Sequence, residues 1–212
     1  MYVPPAFKVH RAVGLAFAAA RGFGQVIACE GGRPVASLLP FHVSDADGRL
    51  PCVQFHVARS NPLAQLAAKG GPWLIAVVGD DAYVSPHWYA SPEQVPTWLY
   101  EAVQLCGPVH VVPPAHTPDH LDRLAAQFES GLTPKPPWTA DGLSSQRRAT
   151  LLESIVAIEM TVETVEGSFK LNQHKADADH VAVVRALREQ GKPSMHAIAA
   201  RMVALRPHLA YE

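Results

Sequence analysis

Two hydrophobic periods alternate along this chain. Val13, Leu15, Ala16 and Phe17 recur at helical spacing among good helix formers, which predicts an amphipathic helix over residues 9–21, stopped by Gly22 and Gly24. Ahead of it Tyr2, Pro4, Pro5 and Phe7 read as an extended arm. The period then shortens: residues 23–29, 33–43 and 51–58 are runs rich in valine, isoleucine and phenylalanine, separated by Glu30-Gly31-Gly32 and Ser44-Asp45-Ala46-Asp47-Gly48. They predict three antiparallel strands joined by hairpins. Asn61-Pro62 opens a short helix through Lys69, with Asn61 as cap and Pro62 at the first helical position.

The pattern continues with an apolar run over residues 72–78, in which Gly79-Asp80-Asp81 reads as a tight turn into residues 82–85. Residues 97–112 have the length of one long strand, broken or bulged at Gly107-Pro108 because proline cannot donate to a central ladder. Thr117 as cap, Pro118 after it, and Leu121, Leu124, Ala125 and Phe128 at helical spacing predict a helix to about Ser130. A proline-rich loop over residues 133–142 carries Trp138. Ser144 or Ser145 then caps a short helix through Leu152, and residues 155–165 read as a half-exposed strand that Gly167 turns towards Phe169-Lys170-Leu171. Helices over residues 177–188 and 194–205, with Gly191-Lys192-Pro193 between them, form a tail. The economical architecture is one α+β domain over residues 1–212: a central antiparallel barrel with flanking helices, followed by a helical tail over residues 176–212.

Composition narrows the function classes. With 18 Lys+Arg against 19 Asp+Glu the formal charge is −1, so there is no global basic field to hold nucleic-acid phosphates. Cys29, Cys52 and Cys106 lack CxxC or CxxH spacing, which argues against a zinc site or a disulfide framework and reads as buried thiols in a reducing cytoplasm. The apolar run at residues 12–20 is too short to span a bilayer and no export signal precedes it, which gives a cytoplasmic expectation and no membrane partner. The 11 histidines show no HExxH; His116 and His120 lie four apart without a reason to share a face. Neither GxSxG, nor a Walker loop, nor GxGxxG occurs.

Three stretches could carry chemistry. At His56-Val57-Ala58-Arg59-Ser60-Asn61-Pro62 a guanidinium fork, a hydroxyl, an amide and free helix N–H groups could converge on a phosphate; the same pattern fits a capped helix with a solvated arginine. Tyr83 to Tyr100 concentrates aromatics, with Ser85, Trp88, Thr97 and Trp98, and suits either a wall for a planar ring or ordinary core filling. Lys170, Asn172, Gln173, His174 and Lys175 form a polar loop, able to meet an anionic ligand or simply solvated. Phosphate donors at a strand-to-helix junction together with an aromatic wall fit a phosphorylated flat cofactor such as FMN.

The ordered words Met1-Tyr2-Val3-Pro4 with Phe7, Leu39-Pro40-Phe41, residues 56–62, Tyr83-Val84-Ser85-Pro86-His87-Trp88-Tyr89, Val95-Pro96-Thr97-Trp98 and Phe169-Lys170-Leu171-Asn172-Gln173 make the chain resemble the PaiB-like family of FMN-binding negative transcriptional regulators. The resemblance implies a split β-barrel related to pyridoxamine-phosphate oxidases and flavin reductases, a homodimer, and FMN at the subunit interface. It makes Arg59 and Asn61 the phosphate ligands, with Ser60, Ser37, Leu38, Leu39, His56 and Ala58 beside them. Ser85, Trp88, Thr97 and Trp98 would wall the ring or the dimer contact, and Lys170 and Gln173 would approach from the last strand or from the partner. Two positions depart from the family pattern: Leu38 replaces a histidine before Leu39-Pro40-Phe41, and Leu99 replaces an asparagine after Thr97-Trp98.

The resemblance thus implies a flavin-binding transcriptional regulator, with a DNA or transcription-machinery partner. The tail residues Arg185, Arg188, Lys192, Arg201 and Arg206 are the candidates for a local basic face. A flavin reductase-like oxidoreductase needs no catalytic triad and stands as the alternative, next to a barrel of the same fold without cofactor.

Overall fold

The computed structural model describes residues 1–44 and 50–212. Its backbone contacts gather into two compact units: residues 1–14, 78–103 and 166–212 form the first, and residues 15–77 and 104–165 the second. The order of elements is β1 (Lys8–Val9), α1 (Arg11–Arg21), β2 (Phe23–Glu30), β3 (Arg33–Ser44), β4 (Cys52–Ala58), α2 (Pro62–Lys69), β5 (Pro72–Val84), β6 (Thr97–Val111), α3 (Thr117–Glu129), α4 (Ser145–Glu153), β7 (Ile155–Thr161), β8 (Thr164–Lys170), α5 (Asp177–Glu189) and α6 (Pro193–Leu205). Strands β5 and β6 each contribute residues to both units.

The second unit is a barrel. Its strands run in the order β6-β5-β2-β3-β4-β7, and pairing of β7 with β6 closes the ring. Val26, Phe41, Val53, Phe55, Val57, Ile75, Val77, Leu105, Ile158 and Met160 are buried and fill the ring, while their strand neighbours point to its outer face, where His42 and Ala157 are buried as well. Helix α2 adds buried Leu63, Ala64, Leu66 and Ala67. Gly107 marks the tightest approach, since a Cβ there would lie 1.7 Å from the Thr161 carbonyl oxygen. The first unit carries strands in the order β1-β8-β6-β5, with α5 and α6 packed through Val183, Val184, Leu187, Ile198 and Met202.

Several elements differ from their sequence-based reading. The first helix begins at Arg11 because Lys8 and Val9 pair with Ser168 and Gly167. Gly79-Asp80-Asp81 does not turn; β5 runs through it. Asp80 and Asp81 are exposed and the buried phase shifts by one residue between Val77 and Ala82, as a bulged strand does, so no polar side chain is forced inward. Gly107-Pro108 does not break β6: burial alternates from Leu99 to Val109 and Pro108 points outward. Residues 155–165 are two strands, β7 and the start of β8, and Gly167 lies inside β8, where a Cβ would meet Val9 at 2.9 Å. Thr117 is helical rather than a cap, because a single 3-10 turn over Pro114–His116 leads into α3. The three free cysteines are not buried: Cys29 is exposed, and Cys52 and Cys106 are half-buried at outward strand positions. The predicted turn at Asp45-Ala46-Asp47-Gly48 lies outside the described residues.

Candidate functional site

In the barrel unit, β4 ends at Ala58 and the next three residues form the junction with α2. Asn61 is the cap: its Oδ1 accepts from Leu63 N at 2.9 Å, and its backbone oxygen accepts from Ala64 N. Pro62 has no N–H. The first turn of α2 therefore keeps none of these N–H groups for a ligand, and the expected contribution of the helix end to a phosphate is withdrawn. The side chains remain. Asn61 Nδ2 donates to Ser37 Oγ at 3.1 Å, tying β3 to the junction, and Ser60 is exposed.

Arg59 is aimed by the end of another helix. Its Nε donates to the Glu153 carbonyl at 2.8 Å and its Nη2 to the Ile155 carbonyl at 3.0 Å, while its backbone N–H reaches the Ser154 carbonyl. The Glu153 carbonyl stands at the C-terminal end of α4, the negative end of the helix dipole, so a cation is well placed there, and Ile155 opens β7. Of five guanidinium N–H groups two are used this way, which leaves three for an anion. A cavity of about 210 Å³ opens beside it, lined by Val111, Val112, Leu152, Ile155 and Val156 among others.

Along β3, Ser37 and Leu39 are half-buried, while Leu38 faces outward and is 65% exposed. His56 lies beneath α3: its Nδ1 sits 3.1 Å from His120 Nε2, and burial lowers its pKa. That pairing, and the burial of His42 beside it, were missed in the sequence, because the residues meet only through strand register and helix docking.

The other expected residues lie in the first unit. Lys170 Nζ donates to Thr97 Oγ1 at 2.5 Å and stands 5.8 Å from the centre of the Phe7 ring. Trp98 is 54% exposed and meets Tyr83 edge to face, with centroids 6.0 Å apart. Ser85 accepts from His87 N and caps the 3-10 turn Pro86–Trp88, where Trp88 is half-buried. Gln173 is committed to its own loop: its Oε1 accepts from Leu171 N and its Nε2 donates to the Phe169 carbonyl. Asn172, at φ 59°, is fully buried and its Oδ1 accepts from Tyr89 OH at 3.4 Å. Leu99 is fully buried and brings no hydrogen-bonding side chain to the strand.

The tail arginines have intrachain partners, although Arg185, Arg188 and Arg201 remain exposed. Arg201 pairs with buried Glu101 at 2.7 Å and Arg206 with Asp177 at 2.7 Å. Arg185 and Arg188 donate to the carbonyls of Glu212 and Tyr211. Among the described residues no group of metal-ligating side chains is arranged to hold an ion, and no helix is long and apolar enough to cross a membrane.

The junction's donor set of guanidinium, hydroxyl and amide has the chemistry that suits a phosphate monoester. Residues 1–164 match the family described as "Putative FMN-binding domain". The protease synthase and sporulation protein PAI 2 of Bacillus subtilis is 29% identical over 203 residues, covering 95% of this chain and 96% of that protein. The FAD and heme binding protein from Mycobacterium smegmatis shares the fold at TM-score 0.55 and 18% identity, over 76% of this chain and 71% of its own. A flavocytochrome from Azotobacter vinelandii does so at TM-score 0.56 and 12% identity, over 77% and 69%. With the match running through the barrel strands and the Arg59 junction, this chain belongs to the PaiB-like family of FMN-binding split-barrel proteins, and FMN is the cofactor that membership gives it.

Proposed function

We propose that the chain holds the phosphate of FMN at the Arg59-Ser60-Asn61 junction and acts in the cytoplasm as a dimeric, flavin-binding negative regulator of transcription. The observation that carries the reading is Arg59, whose guanidinium is fixed by the carbonyls of Glu153, at the end of α4, and Ile155, at the start of β7, with three N–H groups left over. Ser60 and the Asn61–Ser37 pair extend that donor set. When bound, FMN supplies hydride and electron chemistry; the chain's residues bind and orient it. Trp88, Trp98, Thr97 and Lys170 are the candidates for the ring or for the dimer contact, and Gln173 shapes the loop that carries Lys170.

The dimer reading rests on the outward face of β2 and β3. Phe23 and Leu38 are 42% and 65% exposed there, and the cross-strand pairs Phe23 with Pro40 and Ile27 with Ala36 extend the apolar surface on either side of Gln25, which stands opposite Leu38. Such a patch marks an interface, and a second copy of this chain is its proposed occupant. Regulation through a protein partner fits better than a tail-to-DNA contact, because four of the five basic tail residues are engaged within the chain.

The test is FMN titration followed by flavin fluorescence, with sedimentation of the same samples. Saturable binding to a dimer, weakened in Arg59→Ala, is the expected result. A monomer that leaves FMN fluorescence unchanged would overturn the proposal, and rapid NAD(P)H oxidation on adding FMN would move it to the oxidoreductase class.

A further inference from the structure

A polar row crosses the outer face of the barrel under α3. His110 of β6, Glu159 of β7, Gln54 of β4 and His42 of β3 are successive register partners. His110 Nε2 lies 3.4 Å from Glu159 Oε1, and Gln54 Nε2 donates to Glu159 Oε2 at 2.5 Å. Over the far end of the row α3 sets His120, whose ring centroid lies 5.2 Å from that of His42 and 5.3 Å from that of His56. His42 is 5% exposed and His120 1%. Nε2 of His42 and Nδ1 of His120 are buried without a hydrogen-bond partner. A group of imidazoles this close and this dry is stable only while the rings are neutral.

We propose that this histidine group is a proton-operated clasp: neutral, it holds α3 on the barrel, and acidification releases α3. The charged and titratable groups that face it are few. Beneath lie His42, His56, Glu159 and, at the open end of the row, His110; from α3 come His120 and Arg123. Asp122 is turned to Arg148 of α4 at 3.6 Å, and His116, just before α3, is exposed. One carboxylate, Glu159, can therefore offset one added proton. A second proton meets only imidazoles and a guanidinium.

The directions of the proton affinities agree with this geometry. His120 is pushed down to about 3 by burial, then by His56, His42 and Arg123. His42 is lowered by burial and Arg123, against Gln54 and Glu159. The clasp also bears on Arg59, because α4, tied to α3 by Arg148 and Asp122, ends at the carbonyl that holds the guanidinium. Release of α3 itself does not depend on flavin.

Hydrogen exchange of the full chain at pH 7.5 and pH 5.0, corrected for intrinsic rates, tests the proposal. We expect protection of residues 117–129 to fall at least tenfold at pH 5.0, while α2 changes less than twofold. In the double variant His42→Gln, His120→Gln, which leaves the single ring of His56, the fall in α3 protection should shrink to less than about threefold. If that variant does not fold, His42→Gln alone should show a smaller fall than the native chain. Unchanged α3 protection in the native chain, equal losses in α2 and α3, or an undiminished fall in the folded variant would each overturn the clasp.

Discussion

The two compact units bury polar groups in different ways. In the first, buried carboxylates are given partners: Glu101 meets Arg201 at 2.7 Å, and Asp179 accepts from the N–H and hydroxyl of Ser91, each at 2.8 Å. Burial works against ionised Asp179, but the hydrogen bonds from Ser91 and Ala90 outweigh it and hold its pKa below the usual value. In the barrel unit the buried titratable groups, His42, His56 and His120, are kept neutral, and two of their nitrogens stay unpaired. The first unit holds one fully buried histidine, His180, whose pKa burial also lowers; its Nε2 donates to the Met202 carbonyl at 3.0 Å while its Nδ1 has no partner, but it is a single ring where the barrel unit crowds three. One buried imidazole gives the first unit some sensitivity to mild acid; three crowded ones give the barrel unit more.

The largest expected effect breaks the first half of that contrast. Arg201→Ala leaves Glu101, with a side chain 5% exposed, without its cation. Loss of about 2–3 kcal/mol is expected, less than for a fully enclosed pair because Arg201 is half exposed, and denaturant unfolding would measure it. An effect below 0.5 kcal/mol would show that the unit does not depend on its ion pairs.

Next comes the acid response. A lowered histidine pKa means that the unfolded chain binds protons more readily, so the stability is fully present above about pH 6.5 and is lost as the pH falls towards the folded value. For His120 alone, with its pKa at about 3, the loss between pH 7.5 and pH 5.0 is roughly 2 kcal/mol. Asp179 loses its contribution only below the ordinary carboxylate range. Unfolding in urea at the two pH values should show this loss in the native chain and less of it in His120→Leu. A similar magnitude is expected at the junction: Arg59→Ala should weaken FMN binding by about 1.5–3 kcal/mol, the worth of a charged hydrogen bond, as read by flavin fluorescence. The smallest effect belongs to Leu38→His. At an exposed position it should change stability by less than about 0.5 kcal/mol, and as it restores the family's hydrogen-bonding group, FMN affinity should rise if β3 borders the flavin.

Much of this was legible in the sequence where local chemistry decides. Asn61, Pro62 and Lys69 marked a helix whose bounds are those observed, and the turn glycines around β2 and β3 fixed a hairpin. Reading failed where a local signal was overruled by surroundings. Gly79-Asp80-Asp81 looks like a turn, yet strand pairing carries the chain straight through with its carboxylates in solvent. Pro108 looks like a break, yet it points outward on a strand that keeps its phase. The Arg59 junction was visible as a cluster of donors, but not that Asn61 fills the helix end or that α4 holds the guanidinium, since the latter contact joins residues 94 and 96 positions apart. The histidine row was invisible for the same reason: its members share no spacing, only a register.

The threading of the chain through its two units has a consequence for synthesis. Residues 15–77 and 104–165 complete the barrel unit once residue 165 has emerged, whereas the other unit is assembled from three separated segments and awaits residues 166–212. On the ribosome the barrel strands can therefore settle first, leaving Glu101 of β6 without Arg201 of α6 until the last stretch arrives. A nascent chain halted before that point would present a carboxylate without its cation and lack the helices in which Val183, Leu187 and Ile198 are buried.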